Sequence, residues 1–318
     1  MNDKERDRSG DGAGPSPSDD AGPYRWVRKI GLFTLLAVCA TLSLRAQTAR
    51  GLSITIDAGT LFADNYQAGF YSGIPSNLNS VERIMHSQQF GSQMWSDLAS
   101  QGLINMDVVG NYSQLTVAEY GQMHYRLAMQ IGVALHYDFG HNWAWLLRFD
   151  YAKLTAVGQF LLNSGFSNSV IVTNQDAYVA CPIMGTEKRI NIDLGISRRF
   201  DINERLYLSA DLGGSLINTK VLSNSIQVAG NAYSILDVWG GQSPDAGMQP
   251  YEYLNQGGIG YGGFFTIALG FALGGGNNAL LHYTIYYTQT HLPDYTTFNP
   301  HNLNGLKFQL GNFSFFRN

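Results

Sequence analysis

The sequence predicts an all-β chain, an eight-stranded antiparallel up-and-down barrel. Three observations predict it. Only 14% of the 318 residues are charged while 45% are hydrophobic, and Gly, Tyr and Phe number 36, 18 and 17; an ordinary soluble domain is about 25% charged. Eight segments alternate apolar and polar residues with the period of two that belongs to a strand. The connections between those segments are short and long by turns. Composition also excludes other classes. The apolar fraction is too high for a disordered chain. A mean hydropathy of -0.11 with one long apolar run excludes a helical membrane bundle. Two cysteines cannot make a disulfide scaffold, and a net charge of -4 argues against nucleic acid as a partner.

The N-terminal part reads as an address. Residues 1–29 form a charged, disordered extension, rich in Asp, Gly, Pro and Ser up to Pro23. Arg25, Arg28 and Lys29 then precede the apolar run Ile30–Leu44. That run is shorter than the roughly 20 residues of a transmembrane helix. With the small residue Ala46 behind it, residues 30–46 read as the core and cleavage region of a secretory signal peptide. A short membrane anchor is the alternative, and a lipoprotein at Cys39 is disfavoured by Val38 in the place of a small residue. Residues 47–318 are then the exported barrel, with Cys181 as its one thiol. Seven basic and six acidic residues leave with the leader, so the remainder holds 13 and 18.

The strands follow in order. The first is about Leu52–Thr60, and the second carries Tyr125, Leu127, Met129, Ile131, Val133, Leu135 and Tyr137 on one face. The third shows Trp143, Trp145, Leu147, Phe149 and Tyr151; the fourth Ile190, Ile192, Leu194 and Ile196; the fifth Leu206, Leu208, Ala210 and Leu212. The sixth shows Ile259, Tyr261, Phe265, Ile267, Leu269 and Phe271, and the seventh Leu281, Tyr283, Ile285 and Tyr287. The eighth begins Leu306, Phe308, Leu310 and loses phase near Gly311–Asn312, where a bulge would return Phe313 and Phe315 to the apolar face. FGHN, DINE and GGGNN are tight turns, with Gly and Asn supplying positive φ. The long loops are about 61–123, 158–186, 220–256 and 290–304, and Pro75, Pro182, Pro244 and Pro250 fall in them.

Short turns at one end and long loops at the other are the pattern of outer-membrane barrels, with both termini on the short, periplasmic side. A soluble barrel also alternates, so the second face decides. In strand two that face reads His124, Arg126, Ala128, Gln130, Gly132, Ala134 and His136, which lacks the Lys and Glu of a wetted exterior. Small residues suit the crowded inside of a narrow barrel. The apolar face, aromatic near its ends, then meets lipid.

The signal peptide, the eight strands and the aromatic C-terminal strand FQLGNFSFF resemble OmpA/OmpX-type outer-membrane β-barrels of Gram-negative bacteria. The run CPIMGTEKRINIDLGISRRFD is similar to uncharacterised Bacteroidetes-type outer-membrane barrel proteins. The resemblance implies assembly by the barrel insertion machinery, although the chain ends Phe316–Arg317–Asn318 instead of on the aromatic. No cell-wall-binding domain is expected after strand eight.

Alternation predicts the inward charges Asp57, Arg126, Arg148, Asp150, Asp193, Arg199, Asp211 and Lys307. Asp150, Asp193 and Asp211 count to similar heights, and neighbouring carboxylates at low dielectric need compensating cations. A salt-bridge network that fills the lumen is one reading; an electronegative cation path is the other. In the first loop, Asn79 and Glu82 have capping-box spacing, and Leu78, Val81, Ile84 and Met85 follow a helical period that Met94, Trp95 and Leu98 continue after Gly91. Gly258-x-Gly260-x-x-Gly263 matches a dinucleotide pattern but lies in a strand without a following helix. No HExxH, P-loop or paired-Cys spacing occurs, so no enzyme, metal or cofactor is expected. The expected function is a structural or surface-interaction barrel whose loops contact a surface protein or lipopolysaccharide. A small-solute or cation pore is the second reading. A lipid- or peptide-directed hydrolase or acyltransferase, with His86, His124, His282 and His291 meeting at the outer mouth, is the third.

Overall fold

The structure, a computed structural model, describes residues 51–166, 177–240, 242, 244–246, 256–274 and 277–313. The chain divides into two units, 1–42 and 43–318, and the described residues all belong to the second. The extension, the signal region and Phe315 lie outside the described residues.

Eight strands carry the fold. They are β1 (Gly51–Phe62), β2 (Ala128–Gly140), β3 (Trp143–Asn163), β4 (Tyr178–Asp201), β5 (Leu206–Val228), β6 (Gly257–Gly274), β7 (Asn277–Thr290) and β8 (Thr297–Phe313). Each pairs antiparallel with its sequence neighbour, and β8 pairs with β1, so the sheet closes on itself. Closure leaves none of the eight main strands as a free edge. The predicted bulge is present: Leu52 pairs with Phe313 but Ile54 pairs with Leu310, so β8 holds one extra residue there.

The turns differ from one another in mechanism. In the β2–β3 turn, Gly140, His141 and Asn142 all take positive φ. In the β4–β5 turn, Ile202–Arg205, none does; the Asn203 side chain accepts from the amides of Arg205 and Leu206 instead.

β3, β4 and β5 are 21, 24 and 23 residues long, against 12 and 13 for β1 and β2. A membrane needs only about 9–11 residues of a tilted strand. The long three therefore continue through segments predicted as loop, and Pro182 lies in β4, exposed, one residue beyond the start of its pairing with β5. Two short strands, His124–Tyr125 and Val117–Tyr120, extend β2 alongside β3, and Asn231–Ser234 turns back on β5 at Ala229–Gly230, both with positive φ.

Along the lower part of every strand the apolar side chains point out. Ile131 is 58% exposed and Leu194 61%, while Arg148 is fully buried. Above Tyr151 and Ile190 the faces exchange character. Leu154, Phe160, Cys181, Ile183 and Ile226 point inward and are buried. There they meet the first loop. It forms α1 (Asn65–Ala68), α2 (Val81–Met85) and α3 (Gln88–Ser100). Val81, Ile84, Met85, Met94 and Leu98 are buried in one apolar core with Phe160, Cys181, Ile183 and Ile226.

Candidate functional site: a lumen closed at two levels

The first closure is a knot of charge at mid-barrel. Arg148 and Asp193 are direct cross-strand partners, so register alone brings them together. Arg148 donates from Nε and Nη2 to Asp193 Oδ2 at 2.8 and 2.5 Å, and its Nε lies 3.1 Å from Asp150 Oδ2. Nη2 also donates to the Tyr286 hydroxyl at 2.8 Å, and that hydroxyl lies within 3.0 Å of Asp193 and 3.2 Å of Asp150. The guanidinium sits 4.8 Å above the Phe264 ring. Gly132 makes room for the acids: a Cβ there would stand 1.9 Å from an Asp150 oxygen and 2.5 Å from one of Asp57.

Shear separates the acids that simple counting puts at one height. Asp193 faces Ser215 across the β4–β5 ladder, and Asp211 faces Ser197, four residues further toward the turns. Asp211 therefore belongs to a second group, accepting from Ser197 Oγ at 2.7 Å with Lys307 Nζ at 3.6 Å. Arg199 pairs with Asp201 at the rim, 2.5 Å apart, and its guanidinium stacks 3.9 Å from the Tyr207 ring. Below the knot, a cavity of about 530 Å³ reaches the short turns at Asn203 and Glu204. Asp138, Asp201, Glu204 and Asp211 line it against Arg199 and Lys307.

Arg126 is not in the lumen. It is exposed, and its amide donates to the Thr155 carbonyl at 2.8 Å. The chain breaks its ladder at Arg126–Leu127, between His124–Tyr125 and β2, and the phase slips. Tyr125 consequently turns inward, donating to Glu187 at 3.1 Å, while His124 and Arg126 turn outward.

The second closure is the packed first loop. Its polar anchor is Glu187, which accepts from Tyr71 at 2.6 Å and pairs with Arg189 at 2.6 Å. Arg189 in turn donates to Gln67 at 2.8 Å. Burial and the neighbouring Glu187 push the Tyr71 phenol well above its usual range, so it stays a donor. Tyr71 lies flat on Gly185, whose missing Cβ would be 2.0 Å from the ring. Sequence reasoning missed this group, because Glu187 and Arg189 read as the border of a loop. The signal was present: both share parity with Asp193 along β4.

The loop helices differ from expectation in their ends. Ser80, not Asn79, caps α2; the Asn79 side chain instead accepts from the Asp237 amide at 2.8 Å and exchanges hydrogen bonds with Gln256. Gly91 lies within α3, which starts at its own cap, Ser87. Leu78 precedes α2 and is exposed, and Trp95, half-buried, donates to the Val109 carbonyl at 2.8 Å. The four histidines do not converge. His282 is buried in the lumen near Thr284, whereas His86, His124 and His291 are exposed. Gly258, Gly260 and Gly263 lie in β6 and on the residue row facing β7 and β5, not at a helix start. Among the described residues no group of His, Cys, Asp or Glu is arranged to hold a metal.

No protein-family model matches the sequence, and no curated protein matches it. Solved structures do. Ail, the attachment invasion locus protein of Yersinia pestis, is 13% identical with a TM-score of 0.31 over 82% of this chain and 99% of that one. Neisserial surface protein A is 9% identical with a TM-score of 0.36, over 84% and 100%. The outer membrane protein OprG from Pseudomonas aeruginosa is 8% identical with a TM-score of 0.36, over 84% and 99%. Likeness at these scores carries no argument; the barrel and its belt stand on this chain's own strand pairing and burial.

Proposed function

We propose that the chain is an integral barrel of the outer membrane with a non-enzymatic, structural or surface-interaction role. Its short turns face the periplasm, and its capped end faces outward toward a partner protein or lipopolysaccharide. The observation that carries this is the inverted burial: Ile131 and Leu194 on the outside, Arg148 inside. A soluble monomer rarely exposes an apolar patch beyond a few hundred Å², and this one rings the barrel. Assembly by the barrel insertion machinery, and kinship with Bacteroidetes-type barrels through the run Cys181–Asp201, are part of the same proposal.

The charged knot and the packed loop support a lumen that does not conduct. Eight strands leave an interior that side chains just fill. The acid-lined cavity favours a narrow cation path as the second reading, which requires both closures to open.

The test is direct. The protein should partition with outer membranes, migrate faster in SDS unheated than boiled, and give no steady conductance in planar bilayers. Recovery as a soluble periplasmic protein overturns the proposal. Steady cation-selective events select the pore.

A further inference from the structure

We propose that the outward face of β3–β5, just above the apolar belt, is a docking row for the phosphate groups of outer-leaflet lipid. Lys153 and Lys188 are direct cross-strand partners, and so are Lys188 and Lys220. Three ammonium groups therefore stand side by side on adjacent strands, with Cβ atoms about 5 Å apart. Like charges directly opposite each other destabilise a sheet. Among the described residues none of the three is in an ion pair.

Position names the occupant. One row below, Tyr151 and Ile190 are cross-strand partners and belong to the apolar belt. One row above, Thr155 pairs with Thr186, and Thr186 pairs with Ser223 just past a bulge at the exposed Leu222, sharing a hydrogen bond of 2.6 Å with it. Arg126 joins that upper row, its amide bonded to the Thr155 carbonyl and its side chain exposed. The face thus runs from hydrocarbon-facing side chains to four cations and three hydroxyls within three residue rows. Phosphate at a lipid headgroup lies at that level, accepts from ammonium, guanidinium and hydroxyl donors alike, and cancels the repulsion. A soluble polyanion would need the cations but not their contact with the belt. The inference rests on the membrane reading above.

The full chain, refolded in detergent micelles, is titrated with a diphosphorylated lipid A, with the same lipid after phosphate removal, and with inorganic phosphate. Retained lipid is read by native mass spectrometry, and the thermal midpoint is followed in parallel. The phosphorylated lipid is expected to bind at least about tenfold tighter than the dephosphorylated one, with inorganic phosphate raising the midpoint little. The triple variant Lys153→Gln, Lys188→Gln, Lys220→Gln should lose that preference. Without lipid it should be as stable as the parent or more so, since the repulsion is gone, which a merely structural role would not produce. Lys188→Gln alone, at the centre of the row, covers the case in which the triple fails to fold. Arg198→Gln, a cation at the other end of the barrel over Trp143 and Phe200, should leave lipid preference intact. Equal retention of the two lipids, unchanged preference in the lysine variants, or equal binding of inorganic phosphate overturns the proposal. Failure of the parent chain to enter micelles at all would instead overturn the membrane reading.

Discussion

The lower and upper halves of β3 and β4 use one alternation for opposite purposes. Below Tyr151 and Ile190, the apolar set faces out and Arg148, Asp150 and Asp193 face in. Above that level, Leu154, Phe160 and Ile183 occupy the inward parity, and Lys153 and Lys188 the outward one. Between β3 and β4 the backbone does not change register where the character changes; Tyr151 through Thr155 pair residue by residue with Ile190 through Thr186, whereas β5 holds one extra residue, Leu222, at this level. On the proposed membrane reading, what changes is the solvent. In hydrocarbon the exterior must be apolar and polar groups collect inside. In water the ordinary rule returns, and the first loop supplies the core that the open sheet needs. On the proposed membrane reading, the level of the exchange marks the membrane surface.

The largest break in this contrast is expected at the knot. Arg148→Leu leaves Asp193 and Asp150 buried without their cation, and removal of one partner of a buried pair costs about 3–5 kcal/mol. The denaturant midpoint of refolding in micelles should fall accordingly, while protease resistance of the upper loop in still-folded molecules is unchanged. A smaller effect separates the two outer faces. Leu194→Arg should cost about 2–4 kcal/mol near the bilayer middle, whereas Lys153→Leu above the belt should cost little; equal losses at the two positions would erase the boundary.

Much of the barrel is legible in the sequence because one face per strand is uniformly greasy and the period is short. Strand β2 shows it most clearly, from Met129 to Tyr137. The upper extension is legible only to a reader who follows parity after polarity reverses: in β3 the apolar set moves from odd positions at Tyr151 to even ones at Leu154, which looks like the strand's end. Arg126 is misplaced by alternation because two unpaired residues shift the phase. Tyr286 and Phe264, which complete the knot, sit among outward aromatics such as Tyr287 and Phe265, and only the inward parity distinguishes them. Asp211 separates from Asp193 through shear, a property of the closed ring that no single strand carries.

Two milder tests sharpen the upper region. Tyr71→Phe removes a hydrogen bond to Glu187 in the cap, worth about 1.5–3 kcal/mol when the acceptor is charged. Glu187 keeps Arg189 and Tyr125, so the loss should sit at the low end. It should appear as faster proteolysis of residues 64–116 with an unchanged barrel midpoint. The smallest effect is chemical. Burial pushes the Cys181 thiol up to about 12, so at pH 8 the reactive thiolate is scarce in the folded cap. Maleimide labelling should be slow at pH 8 and accelerate when the cap opens in mild denaturant. Rapid labelling of the native protein would mean that the cap is not packed.

The most direct measurement is fluorescence quenching of single bimane labels in bilayers, on a Cys181→Ser background. Labels at Ile131→Cys and Leu194→Cys should be quenched by brominated acyl chains and shielded from aqueous iodide, with Lys220→Cys showing the reverse. Iodide access at Ile131 and Leu194, with no quenching by brominated lipid, would contradict the account.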